Sequence, residues 1–442
     1  MFRRKIYADM LEWKKSQDGK TALLVEGARR IGKTTIVRRF AREEYRSCIF
    51  IDFSRAAPEV RALFDDVSDL GYLFLQLQLR YGVRLFERES LVVFDEVQLC
   101  PKARQAIKAL VADGRYDYVE TGSLISIRKN TRDILVPSEE RKLQMRPMDF
   151  EEFRWACGDE AGLSILSQAF SEKKALGDAL NRKLMRDFRL YMLMGGMPQA
   201  VDAYLQTSNL QEVDEVKRGI IALYEEDFHK ISPSGALSLL FDAIPSQLSQ
   251  GASRYKVSGV LANRRAADVL EEVAELRESK TVLAAYHAND PNVGMSASID
   301  LEKFKLYLAD TGLFTTLAFK DGDFTENLIY EKLLADKLPA NLGALYENVV
   351  AQELVAHGHG LFYHTWEKER GKRNYEVDFI LADGKKICPV EVKSSRYKTH
   401  ASLDAFCEKY PSRVGRRLLV YTKDLRRDGA ALCIPTYMAS LL

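Results

Sequence analysis

Gly27-Ala-Arg-Arg-Ile-Gly32-Lys33-Thr34-Thr35 is a complete GxxxxGK[ST] pattern, and its surroundings have the right order. An apolar run, Ala22–Val25, predicts a strand before it, and Thr35–Glu44 has helical spacing after it. Glycines at both ends let the backbone N–H groups curl around phosphate oxygens, and a helix N-terminus adds its positive dipole end. Gly27, Arg30, Gly32, Lys33, Thr34 and Thr35 are therefore expected to hold a nucleotide. Lys33 would reach the β- and γ-phosphates, and the Thr34 hydroxyl would ligate Mg²⁺. ATP and Mg²⁺ are the expected cofactors.

Working outward, Leu91-Val-Val-Phe94 reads as a buried strand ending in Asp95-Glu96. Two carboxylates at a strand's C-terminal edge lie where open α/β sheets bind ligands. Asp95 would hold Mg²⁺ through water, and Glu96 would orient and deprotonate an attacking water. Tyr116–Glu120 reads as another strand, running into Thr121-Gly-Ser123. A hydroxyl there, catalytic Ser123 or Thr121, would sense the γ-phosphate. Arg141, in Ser-Glu-Glu-Arg-Lys, is a candidate arginine finger. With Cys48–Phe53, these runs alternate with helical stretches, the pattern of a parallel sheet covered by helices.

The chain is 442 residues long, with 46% apolar and 29% charged residues, enough for packed cores and far from a disordered composition. As a soft prior that length corresponds to about three domains. Its net charge of +2 argues neither for nor against nucleic acid. No apolar run approaches the roughly 18 residues of a membrane span. The basic N-terminus is not followed by an apolar segment, so a secretory signal is not expected. Six scattered cysteines without a CxxC suit a reducing cytoplasm rather than a zinc ribbon or disulfide scaffold.

Charge and pattern change toward the C-terminus. From Leu361 onward there are 16 Lys/Arg against 10 Asp/Glu, a net of +6, leaving −4 for the first 360 residues. Tyr375-Glu-Val-Asp-Phe-Ile-Leu381 alternates with period two, placing Asp378 opposite Val377 and Phe379. After the turn at Ala382-Asp-Gly-Lys, the segment Ile387–Lys393 puts Glu391 and Lys393 on one face. Paired as a hairpin, these strands would converge Asp378, Glu391 and Lys393. The carboxylates would bind a hard divalent cation, and the lysine would polarise the attacking water. This D-x12-E-x-K spacing is the signature of restriction-endonuclease-like phosphodiesterases. Upstream, Leu342–His357 reads as a helix whose Glu347 would add a third carboxylate to the metal. Glu353 is the rival, about 240° away around the helix, so both cannot face one site. The basic clusters Lys368–Arg373, Lys393–Lys398 and Arg413–Arg417 would hold a phosphate backbone.

Between these ends the chain is mostly helical in pattern, with helical spacing in Asn181–Leu193, Gln211–His229 and Arg264–Ser279. The order Ile244–Gln250, Val257–Leu261, Arg264–Ser279 and Thr281–Tyr286 suggests helix, helix, recognition-length helix and wing. Arg264, Arg265 and Arg277 would face DNA. Asp268, Glu271, Glu272, Glu275 and Glu278 on the same helix oppose that, so a packing or protein-contact module is the competing expectation.

Arg4-Lys-Ile-Tyr, Trp13, Gly27–Thr35, Asp95-Glu-Val-Gln98, Thr121-Gly-Ser123 and Arg146–Phe153 together resemble the prokaryotic AAA-family ATPases that carry a C-terminal domain of unknown function. Gly195-Gly-Met-Pro198, Phe304–Leu313, Tyr346-Glu-Asn348 and Glu391-Val-Lys393 extend that resemblance from end to end. It implies an α/β multidomain chain. The expected parts are a P-loop AAA-type ATPase core (1–155), a helical lid (156–232), a winged-helix-like segment (233–325) and a restriction-endonuclease-like α/β domain (330–442). It also supports Lys33, Thr34, Asp95 and Glu96 in the roles above. The expected function is a Mg²⁺-dependent ATPase controlling a nuclease-like domain that contacts DNA or RNA. The alternative is an ATP-driven switch or scaffold for a protein or DNA partner, with a tail that does not cut. A DNA-binding regulator using the winged segment is a third expectation. Oligomeric state is not encoded in any of these patterns.

Overall fold

The computed structural model describes residues 1–122, 138–160, 162–320, 334–335, 342–368, 374–395, 397 and 399–442. These divide into two compact units: residues 1–146 with 278–280, and residues 147–277 with 281–442.

In the first unit β1 (Ala22–Glu26), β2 (Ser47–Asp52), β3 (Ser90–Asp95), β4 (Asp117–Gly122) and β5 (Glu140–Gln144) form one parallel sheet in the order β2-β3-β4-β1-β5. The three inner strands are buried at every residue, whereas β2 and β5 are half-buried edges. This explains why Leu-Leu-Val and Leu-Val-Val-Phe read as continuous apolar runs. Because β4 lies between β1 and β3, the ends of three strands meet at the C-terminal edge of the sheet: the phosphate loop, Asp95 and Thr121. The helices Lys33–Glu44 and Pro101–Asp113 cover the sheet, with Ile36, Val37 and Phe40 of the first buried.

β5 is a strand that the sequence concealed. Glu-Arg-Lys-Leu-Gln has no apolar alternation, yet it pairs with β1 in parallel. Glu140 is compensated from within: Nη2 of the buried Arg104 donates to both its carboxylate oxygens at 3.2 and 3.1 Å. Glu120 on β4 lies on the other side of the same guanidinium, 3.7 Å away. Burial and the neighbouring Glu140 push the Glu120 carboxyl well up.

The second unit begins with helices Phe150–Ala156, Gly162–Glu172, Asp178–Met194, Pro198–Thr207 and Leu210–Ile231. Asp310 welds two of the quoted motifs together. Its buried carboxylate accepts from the Gly196 N–H at 2.6 Å and caps the helix Thr311–Ala318 through the Leu313 N–H at 2.9 Å. A Cβ on Gly196 would lie 2.0 Å from the Met148 carbonyl oxygen, so only glycine permits this approach. Lys217, also buried, donates to the carbonyls of Leu193 and Gly312. Gly195-Gly-Met-Pro198 and Asp310-Thr-Gly-Leu313 are thus held together by packing and hydrogen bonds.

Two sheets follow. β6 (Val282–Ala288), β7 (Ile299–Leu308), β8 (Phe362–Trp366) and β9 (Tyr375–Val377) stand in the order β7-β6-β8-β9. β10 (Phe379–Asp383), β11 (Lys386–Lys393), β12 (Leu418–Tyr421), β13 (Arg426–Asp428) and β14 (Ala431–Pro435) stand in the order β10-β11-β12-β14-β13. The helix Ala401–Lys409 makes the crossover between the parallel strands β11 and β12.

Two expectations change here. Arg264–Ser279 is not one helix: a 3₁₀ turn, Ala266–Val269, precedes a shorter α-helix, Leu270–Glu278. Arg264 donates to Glu272 at 2.7 Å rather than projecting from a continuous recognition helix. The strand after it, β6, is also no free wing, because it pairs with both β7 and β8 inside a sheet. Likewise, Tyr375–Leu381 is two strands. β9 pairs with β8 and β10 with β11, and the chain changes sheets at Asp378.

Candidate functional site

The phosphate loop takes its shape from three left-handed residues: Gly27 (φ 156°), Arg30 (φ 69°) and Gly32 (φ 93°). A Cβ on Gly27 would sit 2.3 Å from the Met145 carbonyl oxygen, so this position must be glycine. Arg30 is exposed at the crest, and Thr35 is exposed in the first turn of the helix. Beneath the loop, the buried Arg4 guanidinium donates to the Ile31 carbonyl at 3.1 Å and to the Arg146 carbonyl. It ties the loop to the chain that leaves β5. Sequence reasoning quoted Arg4 only within a resembling motif and gave it no role.

Lys33 is 7% exposed, and its ammonium donates to the Gly27 and Ala28 carbonyls at 3.1 and 2.8 Å. Burial lowers its pKa to about 8, against the upward pull of Glu96 and Asp95. The Thr34 hydroxyl donates to Asp95 at 2.9 Å, so the expected Mg²⁺ ligands from two elements already touch. Thr121 donates from β4 to the same Asp95 oxygen. Its hydroxyl also accepts from the Glu96 N–H at 3.3 Å. Of the two sensor candidates, Thr121 is thus on the acids, and Ser123 lies outside the described residues. Glu96 itself sits in the left-handed region (φ 54°), a conformation that costs on the order of 1 kcal/mol or more. Gln98 donates to its carboxylate. The donor set, a hydroxyl and a carboxylate beside an ammonium at a helix N-terminus, fits Mg²⁺ and phosphate oxygens.

Arg141 does not join this group. It lies on β5 opposite Leu23, four residues before Gly27, or about 13 Å down the sheet at strand rise. There its charge acts on Asp9 of the helix Ile6–Gln17. Ser-Glu-Glu-Arg-Lys runs into a strand, and its place on β5 sets Arg141 back from the phosphate edge within one chain.

A second acidic cluster occupies the second unit. The hairpin β10/β11 forms, and the Val392 N–H donates to Asp378 at 2.7 Å. One carboxylate oxygen each from Glu347, Glu376 and Asp378 lie within 4.8 Å of one another. Glu347 faces this cluster as expected, while Glu353 is buried elsewhere and accepts from the Phe150 N–H at 3.0 Å. Glu376 was missed, although it sits two residues before Asp378, on the same face of a period-two run. Burial and Glu347 push the Asp378 carboxyl well up.

Glu391 is not among the three. It is 4% exposed, pairs with Lys393 at 2.8 Å and accepts from the Leu403 N–H. Its role as a metal ligand and that of Lys393 as a water activator meet a closed ion pair instead. Nor did the sequence reveal Lys305 on β7. Its ammonium, 4% exposed, lies 2.8 Å from Glu347 and 2.5 Å from Glu376. The Tyr307 hydroxyl donates to the same Glu347 oxygen. Burial opposes the Lys305 charge, but Glu347, Tyr307, Glu376 and Asp378 overcome it and hold its pKa well above the usual value.

The basic clusters are also partly occupied. Arg413 pairs with Asp290, and Arg416 grips Asp383 with two bonds of 3.0 Å. Most of Lys368–Arg373 and two residues of Lys393–Lys398 lie outside the described residues. Among the described residues no helix is long and apolar enough to cross a membrane.

Three family models match the chain. Residues 19–154 match one described as an AAA domain, and residues 185–323 and 342–437 match two domains of unknown function, DUF8612 and DUF4143. No curated protein matches. Solved structures that are similar include a signal transduction ATPase with numerous domains (STAND), with a tetratricopeptide repeat sensor, from Pyrococcus horikoshii. It has 12% identity and a TM-score of 0.27, over 79% of this chain and 48% of that one. The chain thus spans about half the length of that protein. Cdc6p from Pyrobaculum aerophilum has 13% identity and a TM-score of 0.24, over 76% and 94% of the two chains. A protein from Vibrio cholerae has 12% identity and a TM-score of 0.18, over 95% of each. Likenesses of that size carry no functional argument. The segment match and the strand-edge geometry coincide: residues 19–154, which match the AAA domain, contain Lys33, Thr34 and Asp95.

Proposed function

We propose that the first unit hydrolyses ATP with Mg²⁺, and that this cycle controls a nuclease-like C-terminal segment. The observation that carries the ATPase reading is the Thr34–Asp95–Thr121 chain of hydrogen bonds, with the Glu96 backbone held on the same threonine. Bound Mg²⁺ would neutralise charge on the β- and γ-phosphates. Thr34 and Asp95 would hold it, Lys33 would exchange its carbonyl partners for phosphate oxygens, and Glu96 would take a proton from the attacking water. Thr121 would align the acids. The division at 1–155, 156–232, 233–325 and 330–442, and a cytoplasmic setting, belong to the same reading. The scattered cysteines support the second of these.

The test is ATP turnover by wild type, Lys33→Ala and Glu96→Gln, with and without DNA or RNA. Both variants should lose about 10²–10⁴-fold in rate. Wild-type turnover retained by Glu96→Gln would overturn the hydrolytic role of that residue.

For the C-terminal segment, the β10/β11 hairpin, with Asp378 just before it and Glu391 and Lys393 on β11, supports the nuclease-like reading. A specific observation favours the second reading, a switch whose tail binds without cutting: Glu391 on that hairpin, and Glu347 and Glu376 beside it, are already paired with lysines.

A further inference from the structure

The acidic cluster of the second unit contains a cation that the chain itself supplies. Four carboxylates, Glu347, Glu376, Asp378 and Glu391, share one neighbourhood with two ammoniums, Lys305 and Lys393. The two lysines differ in what they do. Lys393 belongs to the hairpin and pairs with Glu391, beside the cluster. Lys305 comes from β7, which lies far upstream in sequence and pairs with β6 in the other sheet. Its ammonium bridges Glu347 and Glu376, and Tyr307, next but one along the same strand, holds the shared Glu347 oxygen. Residues from one strand therefore occupy two of the three carboxylates that would take a divalent ion.

A hard divalent ion needs several oxygen ligands with their lone pairs available. Here one Glu347 oxygen already accepts two donors, one Glu376 oxygen accepts the lysine, and Asp378 accepts the Val392 N–H. An ammonium at 2.5–2.8 Å would also stand almost in contact with a bound cation, at a cost that grows with burial. The Mg²⁺ implied by the nuclease-like reading therefore does not fit these residues as they are arranged.

We propose that Lys305 is a tethered counter-ion that closes the Glu347–Glu376–Asp378 cluster against divalent cations. The cluster is charge-compensated from within the chain, and a divalent ion enters only where the ammonium is withdrawn. The proposal rests on the geometry of the cluster and stands apart from whether the first unit hydrolyses ATP.

The test reads cation binding by the full chain, without nucleotide or nucleic acid. Mn²⁺ is titrated into wild type, Lys305→Met and Lys305→Met/Asp378→Asn, with calorimetry and thermal unfolding as readouts. Binding near Thr34 and Asp95 is common to all three and drops out of the comparison. Lys305→Met should gain an Asp378-dependent site at least about tenfold tighter than any in wild type, with a Mn²⁺-dependent rise in melting temperature. Equal Asp378-dependent affinity in wild type and Lys305→Met would overturn the proposal, as would no such site in either. If Lys305→Met does not fold, Lys305→Met/Glu376→Gln keeps the net charge of the cluster, and its remaining pair, Glu347 and Asp378, should still bind Mn²⁺ more tightly than wild type. Failure of that variant to exceed wild type would also overturn it.

Discussion

Lys33 in the first unit and Lys305 in the second are both buried ammoniums set beside acids, but they bond to different acceptors. Lys33 bonds to the carbonyls of Gly27 and Ala28, which leaves Asp95 to the neutral hydroxyls of Thr34 and Thr121. Lys305 bonds to the carboxylates of Glu347 and Glu376 themselves. An acid held by hydroxyls keeps its charge free for a cation. An acid held by a buried ammonium has already used it, and that pair becomes part of the fold. The same residue types at similar spacing can thus make a poised site or a structural ion cluster, depending on where the lysine's hydrogen bonds go.

This contrast can be broken by neutralising one acid in each region. Glu347→Gln leaves the Lys305 charge buried beside one carboxylate fewer, and should destabilise the second unit by about 3–5 kcal/mol in denaturant unfolding. Asp95→Asn removes an acceptor held by the hydroxyls of Thr34 and Thr121. It should cost about 1 kcal/mol of stability while abolishing Mg²⁺-dependent turnover. Equal stability losses would erase the distinction between the two clusters.

A pH series sharpens it, because the second unit also contains a buried neutral histidine. His364 is 4% exposed. Its ring bonds to the Ala288 carbonyl and the Tyr410 hydroxyl and stacks on His287. Burial lowers its pKa to about 4, against the Ala288 bond and with help from His287. The unfolded chain takes up the proton near pH 6.5, whereas the folded ring resists it until about pH 4. Its contribution is therefore complete above about pH 6.5 and is lost as the pH falls toward 4, by at most about 3 kcal/mol. His364→Gln should flatten the acid limb of the stability profile of the second unit. An unchanged profile would remove His364 as the cause.

The smallest effect expected is in the first unit. With Lys33 titrating near pH 8 in the free protein, raising the pH above 8 neutralises the amine that triphosphate oxygens favour as a cation. ATP affinity should fall above pH 8 by up to about tenfold per pH unit. Calorimetry in buffers of different ionisation enthalpy should show proton uptake on binding in that range. No proton uptake, with Lys33→Ala behaving alike, would mean that the carbonyl partners keep the ammonium charged.

Much of the first unit was legible because its signals are local. Gly27, Gly32, Lys33 and Thr34 lie within one turn and one helix start, and Leu91–Phe94 is buried on both faces, so its apolar run is continuous. β5 was not legible, since Glu140 is neutralised by Arg104, a partner 36 residues away. That hidden strand also carries Arg141, the candidate arginine finger, to a position beside Leu23. Glu376 could have been found from its period-two spacing with Asp378, and helix geometry showed that Glu347 and Glu353 could not both face one site.

By itself the sequence determined the phosphate loop, the strand that leads into Asp95 and Glu96, and the hairpin that follows Asp378 and carries Glu391. Each depends on neighbours within about one element, where glycine conformation, strand period and helix pitch leave few alternatives. Tertiary structure alone decided three things: that Thr121 bonds to Asp95, that the chain changes sheets at Asp378, and that Lys305 lies between Glu347 and Glu376. The side-chain contacts among them join residues 26 to 71 apart. Their hydrogen bonds depend on strand order and sheet packing, which no local pattern encodes.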